Sequence, residues 1–319
     1  MSAPSLILLG ATGTIGRATL SELRAQGHDV TCLVRQGSGE KLPDGVKFLE
    51  VDLGDPDAVA RCMDTCGGAA VISCMASRTG RPADAWAVDY QANMNVLNAA
   101  QAVGCAHFTL LSAICVQKPL LEFQRAKLAF EAALIASGLQ WSIVRPTAFF
   151  KSLSGQVRRV QAGKPFLVFG DGTLTACTPI SDRDLARYLV GCLNVPARMN
   201  RILPIGGPGP ALTPRAQGEV LFDLLGKKTR FRQVPVTLMD GIIATLSTLG
   251  RVNRGMAEKA EFARIGRYYA TESMLVWNPT TARYDADVTP AFGEDSLCAH
   301  YQRLLFGKGE AGLGDHAMF

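Results

Sequence analysis

Short apolar runs recur along the first half of the chain, each closed by a glycine, a polar residue or a proline and followed by a segment of helical spacing. Leu6 to Leu9, Asp29 to Val34, Val46 to Val51, Ala69 to Met75, His107 to Ser112 and Gln140 to Val144 have the length and branched content of buried strands. Thr14 to Gln26, the stretch opening at Pro56, Asp84 to Val103 and Leu120 to Ser137 carry apolar residues three and four apart, the period of a helix with one face inward. In the third of these, Trp86, Tyr90, Met94 and Leu97 form the stripe expected to face the core. Strand–helix alternation of this kind predicts an α/β protein with a Rossmann-type doubly wound parallel sheet.

After Thr147 the rhythm changes. Gly170-Asp171-Gly172-Thr173 is a turn, Ser181-Asp182-Arg183-Asp184 opens a helix carrying Leu185, Leu189 and Leu193, and Arg201 to Gly206 adds a late strand. The expected division is a Rossmann domain over 1–147, a smaller C-terminal substrate lobe over 148–306 with elements returning to the sheet, and a flexible glycine-rich tail over 307–319. Within the lobe, Leu238, Ile242, Ile243, Leu246 and Leu249 recur at helical spacing between Val236 and Val252. That segment is too short and too polar to span a bilayer, so it predicts a core-facing helix, with contact to a lipid monolayer as the alternative.

Composition narrows the class. The chain has 319 residues, 48% hydrophobic and 19% charged, enough for one large domain with an appended lobe. Its net charge of +5 is spread along the sequence and gives no nucleic-acid footprint. Nine cysteines include no Cys-x-x-Cys pair, and Cys32, Cys74 and Cys192 lie in apolar runs, as buried thiols of a reducing compartment do. Four scattered histidines make no ligand spacing, so no protein-held metal is expected. The first strand follows Met1-Ser2-Ala3-Pro4 directly, without room for a signal sequence, which predicts a cytoplasmic protein.

The chemistry begins at the first strand end. Gly10, Gly13 and Gly16 follow the apolar run Leu6 to Leu9 at intervals of three. One glycine permits the turn, the next admits a pyrophosphate close to the backbone, and the third lets the helix lie on the sheet. The N–H groups from Thr12 through Thr14 and Ile15 would then face phosphate at a helix start. Arg35 stands nineteen residues after Gly16, at the end of the second strand, where a carboxylate would hold a ribose hydroxyl and an arginine suits a 2′-phosphate. The site is therefore expected to take NADPH. Asp52 ends the third strand, to meet the adenine or to cap the helix at Pro56, and Cys74, Met75 and Pro146 close other strands at the same edge.

Ser112 ends the fifth strand. On the helix after it, Phe123, Lys127, Phe130 and Leu134 share one face, and an ammonium within an apolar stripe calls for a partner. Either Lys127 lines a ligand cleft, or Glu131, four residues on, neutralises it.

Ser112 and Lys127, with Phe123 where a tyrosine is usual, resemble the short-chain dehydrogenase/reductase superfamily in its NmrA-like branch. The run from Leu111 through Cys115 and Phe123 to Lys127, with Ala270 to Trp277, Tyr284 to Asp287 and Thr289-Pro290, is similar to the NADPH-dependent reductases that convert the 8-vinyl group of divinyl chlorophyllide or protochlorophyllide to ethyl in chlorophyll and bacteriochlorophyll synthesis. The resemblance implies Ser112 and Lys127 as catalytic residues and a magnesium tetrapyrrole as substrate, its metal belonging to the pigment. Cys115, Phe123, Phe149, Phe150, Arg158 and Arg159 are the candidate substrate contacts, with Lys151 beside them. It leaves open a loose contact with the photosynthetic membrane. Two alternatives stay open: an NADPH reductase of another conjugated alkene, and a non-catalytic NADP(H)-binding regulator.

Overall fold

The computed structural model describes residues 6–307, and of Arg254 only the backbone. The expected tail, beyond Gly307, lies outside the described residues. In chain order, β1 (Leu6–Leu9), α1 (Thr14–Ala25), β2 (Val30–Val34), β3 (Lys47–Glu50), α2 (Pro56–Cys66) and β4 (Ala70–Ser73) alternate as expected. One long helical stretch then divides into α3 (Pro82–Ala85), a π-helical segment over Trp86–Ala92 and α4 (Asn93–Ala102). It leads through β5 (His107–Leu111), a 3₁₀ turn at Ile114–Gln117, and α5 (Glu122–Ile135) to β6 (Gln140–Pro146).

The described chain falls into two compact units, 6–146 with 182–204, and 147–181 with 205–307. After β6 the second unit begins with α6 (Val157–Gln161) and β7 (Phe166–Phe169). Residues 182–204 return to the first unit as α7 (Asp182–Gly191) and most of β8 (Arg201–Ile205). The rest of the second unit comprises α8 (Pro214–Leu224), β9 (Phe231–Val234), α9 (Val236–Leu249), α10 (Arg254–Thr271), β10 (Val276–Asn278), β11 (Arg283–Asp285) and α11 (Leu297–Phe306).

The first unit is a doubly wound sheet of seven strands in the order β3-β2-β1-β4-β5-β6-β8, and the pairings from β3 through β6 are parallel. Alternation along β1 builds two cores. Ile7 and Leu9 pack with Val59 and Met63 of α2, Val96 and Leu97 of α4 and Phe130 and Leu134 of α5. Leu6 and Leu8 pack on the other face with Leu20 and Leu23 of α1 and Val190 of α7. Each of these side chains is at most 7% exposed, so both sheet faces are dry.

In the second unit β7 and β9 pair in parallel, and Phe150, Val157, Phe166, Leu221, Phe222 and Tyr301 form its core. Here two expectations fail. No residue of α9 is buried, because α9 packs along α10 while its sequence is apolar on more than one side. The helix therefore does not face a core. In the first unit, Trp86 is 38% exposed instead of core-facing, since the π-helical turn rotates it to the surface, where its Nε1 donates to Glu122 Oε2 at 3.1 Å. No helix among the described residues is long and apolar enough to cross a membrane.

The glycine loop sets the tightest packing. A Cβ on Gly16 would lie 2.0 Å from the Gly10 carbonyl oxygen, whereas one on Gly13 meets that oxygen at 3.3 Å. Gly16→Ala is expected to lower the unfolding free energy by about 1–3 kcal/mol, and Gly13→Ala by less than about 1 kcal/mol, as read by urea denaturation.

Candidate active site

The strand order reverses between β1 and β4, and in an open parallel sheet that is where a crevice opens beyond the carboxyl ends. Gly10 turns there with φ +74°, and a Cβ on it would stand 2.6 Å from the Cys74 carbonyl oxygen. The loop and the end of β4 are thus in backbone contact. Gly13 caps α1 with no side-chain hydrogen bond, and the first turn of the helix carries no acidic residue. A helix start left without capping oxygen or carboxylate is electrostatically suited to phosphate. Gly13 is exposed and Thr12 and Thr14 are half-buried, while Ile15 and Gly16 are buried, so Ile15 can offer a ligand only its backbone.

Arg35 follows β2 with its side chain exposed and engaging no described residue. Asp52 accepts from the Gly54 amide at 2.9 Å. It does not cap the helix at Pro56: that role belongs to Asp55, which accepts from Asp57 N at 2.9 Å and Ala58 N at 3.2 Å. Met75 is 7% exposed. Burial pushes the Cys74 thiol up to about 12, so it lines this edge as a neutral group, 3.8 Å from the Thr19 hydroxyl.

The two polar residues at the end of β5 and on α5 belong to separate clusters. Lys127 Nζ donates to Asp89 Oδ1 at 2.8 Å, and the two side chains are 12% and 1% exposed. The other Asp89 oxygen accepts from Ser77 N at 3.3 Å. Asp89 sits in the π-helical segment, whose irregular carbonyls need other donors; Asn93 Nδ2 donates to Val88 O and Asp89 O, and its Oδ1 accepts from Ser73 Oγ at 2.7 Å. A buried chain of polar contacts therefore ties β4 to the lysine's partner.

Glu131 is not that partner. Its carboxylate, 2% exposed, accepts from Ser112 Oγ at 2.5 Å and from the Arg145 guanidinium on both oxygens. Ser112 has committed its proton to Glu131, so it is not a free donor for a substrate oxygen. At the start of α5, Gln124 Oε1 accepts from Leu120 N at 2.7 Å and Leu121 N at 2.9 Å, fixing the helix entry. Phe123 is 8% exposed one turn before Lys127, and Cys115 in the 3₁₀ turn is buried at 2%.

The candidates of the second unit separate by burial. Phe149 is half-buried in a parallel bridge with Ile180, and Arg158 is exposed. Phe150 belongs to the core, 2% exposed, with its ring centroid 5.4 Å from that of His300 and tilted 47° to it, so packing and not substrate contact uses its ring. Arg159 Nε donates to the Pro165 carbonyl at 2.8 Å, a structural use of its guanidinium, and Lys151 is half-buried in a 3₁₀ turn.

The contacts of Asp89, Glu131 and Arg145 were the least evident from sequence. A signal for Asp89 existed: Asp89 and Asn93 are polar and four apart, so they share one face of the helix. Among the described residues no group of His, Cys, Asp and Glu has a metal-holding arrangement.

Residues 10–196 match the NAD(P)H-binding family. The chain is 46% identical over 336 residues to the divinyl chlorophyllide a 8-vinyl-reductase, chloroplastic, of Oryza sativa subsp. indica, covering 100% of this chain and 83% of that protein. The protein of the same name from Cucumis sativus is 46% identical over 334 residues, 99% of this chain and 80% of its own length. Among solved structures, the NADPH-dependent quinone oxidoreductase QOR2 of Escherichia coli, complexed with NADPH, superposes with a TM-score of 0.68 at 16% identity, covering 94% of this chain and 99% of that one. That likeness carries the fold alone. Taken with the glycine loop and the Lys127 cluster, the near-full-length identity makes this chain a member of the divinyl chlorophyllide a 8-vinyl-reductase family of NAD(P)H-binding oxidoreductases.

Proposed function

We propose that the chain reduces the 8-vinyl group of divinyl chlorophyllide a, or of the corresponding protochlorophyllide, to ethyl with NADPH. The observation that carries the reading is the pairing of a retained Lys127 with a phenylalanine at 123, beside a serine whose proton is already held by Glu131. Chemistry on a carbonyl or alcohol needs a donor to oxygen, and this constellation lacks both the phenol and a free serine hydroxyl. A vinyl group has no oxygen to protonate. When bound, NADPH would supply the hydride for one vinyl carbon; the ring would delocalise the electron pair, and a proton would complete the other carbon.

The chain's own residues have separable tasks. The start of α1 at Gly13, with no acidic residue in its first turn, would hold the pyrophosphate, and Arg35 would pair with the 2′-phosphate. Lys127 would donate to the ribose hydroxyls on the nicotinamide side, and its ammonium is the candidate source of the proton, passed directly or through water. Asp89 keeps the Lys127 ammonium aimed and neutralised by their 2.8 Å contact. Ser112 acts through position, joining β5 to Glu131 and Arg145. Phe123 gives the pigment an apolar neighbour.

An anaerobic assay with purified protein and divinyl chlorophyllide a tests the reading: the Soret band shifts to the blue with NADPH and not with NADH. Arg35→Gln weakens NADPH binding by about 10–100-fold, the worth of a charge-assisted contact, while leaving NADH unchanged. Tight NADPH binding without pigment turnover would move the assignment to a regulator or to another alkene.

Lys127→Met lowers kcat/KM by about 100-fold or more, and Asp89→Asn, which keeps the shape but not the charge, by about tenfold. Fluorescence titration of NADPH separates lost binding from lost turnover. Equal kinetics in wild type and Lys127→Met would remove the lysine from the reaction.

A further inference from the structure

The helix α9 presents an apolar surface that the second unit does not cover. Leu238 is 54% exposed, Ile242 40%, Leu249 47% and Val252, just beyond the helix, 90%. Their spacing of four, seven and three places them on one stripe. The hydroxyls within that stripe do not depend on water: Thr245 donates to Gly241 O and Thr248 to Ala244 O, each at 2.9 Å. Asp240 is the only charged residue of the helix, and it is engaged by Arg267 of α10.

A second feature adjoins the first. Lys227, Lys228, Arg230 and Arg232 lie within six residues, immediately before α9, and all four are exposed. From Gly226 to Met239 there is no acidic residue. Lys227 and Arg230 touch backbone carbonyls, of Gln161 and Gly163, and none of the four forms an ion pair among the described residues. At the other end of the stripe stand the exposed cations Arg251 and Lys259. The acidic Glu261 of α10 is engaged by Arg264 at 2.9 Å.

We propose that α9 and the preceding basic run form a docking surface for an anionic lipid bilayer. The stripe enters the boundary between headgroups and acyl chains, and the cations lie over the headgroup phosphates. At about 1.5 Å per residue the 14-residue helix is about 21 Å long, short of the roughly 30 Å hydrocarbon core, so it lies in the plane of the membrane. Lipid satisfies both features together, apolar stripe and unpaired cations, which an uncharged apolar partner does not. The inference stands apart from the reaction, because lipid binding needs neither cofactor nor pigment.

Flotation of the full chain with phosphatidylcholine vesicles, with and without phosphatidylglycerol, tests it. Binding is expected on the anionic vesicles, to fall as salt is raised, and to be absent on phosphatidylcholine alone. Lys228→Gln with Arg232→Gln weakens it by about tenfold or more, at about a factor of five per cation. Leu238→Gln, Ile242→Gln and Leu249→Gln together abolish it while thermal unfolding and turnover of dispersed pigment are retained. Absence of vesicle binding at every composition overturns the proposal. So does a wild-type dimer, seen by light scattering, that the triple variant dissociates while vesicle binding is unaltered, because the stripe then covers a second copy of the chain.

Discussion

The structure depends on one close approach. The Gly10 carbonyl lies where a Cβ on Gly16 would have to go, and the Gly10 Cα lies against the carbonyl of Cys74. Those two contacts bring α1 onto β1 and bring both to the end of β4, at the place where the strand order reverses. With no side-chain cap at Gly13 and no acidic residue in the first turn, the positive end of α1 is left without a carboxylate. The dinucleotide edge is thus a consequence of backbone packing. Arg35, one strand away and exposed, is not part of that packing; the preference for a phosphorylated ribose is the role proposed for it.

Two buried ionic clusters hold the polar residues at the end of β5 and on α5. Glu131 draws Ser112 and Arg145 together and takes the serine's hydrogen bond; Asp89 holds Lys127. Removing one partner of a buried pair leaves an uncompensated charge, so each pair is also a constraint on where its helix sits. The π-helical turn is what allows Asp89 to reach the lysine 38 residues away, and Asn93 stabilises that turn from within. A regular helix here would carry Asp89 to a different angle.

The sequence made the sheet legible because strand length, glycine spacing and helical period all agree over residues 6–146. Ser112, Lys127 and the glycine loop follow from position within that pattern. What was hidden depends on tertiary geometry. Glu131 stands at the helical spacing that suits Lys127, yet a distant Arg145 and Ser112 claim it, and no local rule ranks those partners. Trp86 and Phe150 show the same limit from packing: adjacent or periodic aromatic residues look alike in sequence, and neighbouring elements decide which one is covered. The α9 segment is apolar over more than one side, so its period indicates a helix without saying which side finds a partner.

In the proposed reaction a vinyl group would receive a hydride from NADPH and a proton without any donor to oxygen. The most direct measurement is mass spectrometry of the pigment after a single anaerobic turnover with NADPH deuterated at the transferring position of C4. The account predicts an ethyl group carrying one deuteron from the cofactor, and a second when the reaction is run in deuterated water. An ethyl product whose added hydrogens all come from solvent would contradict it.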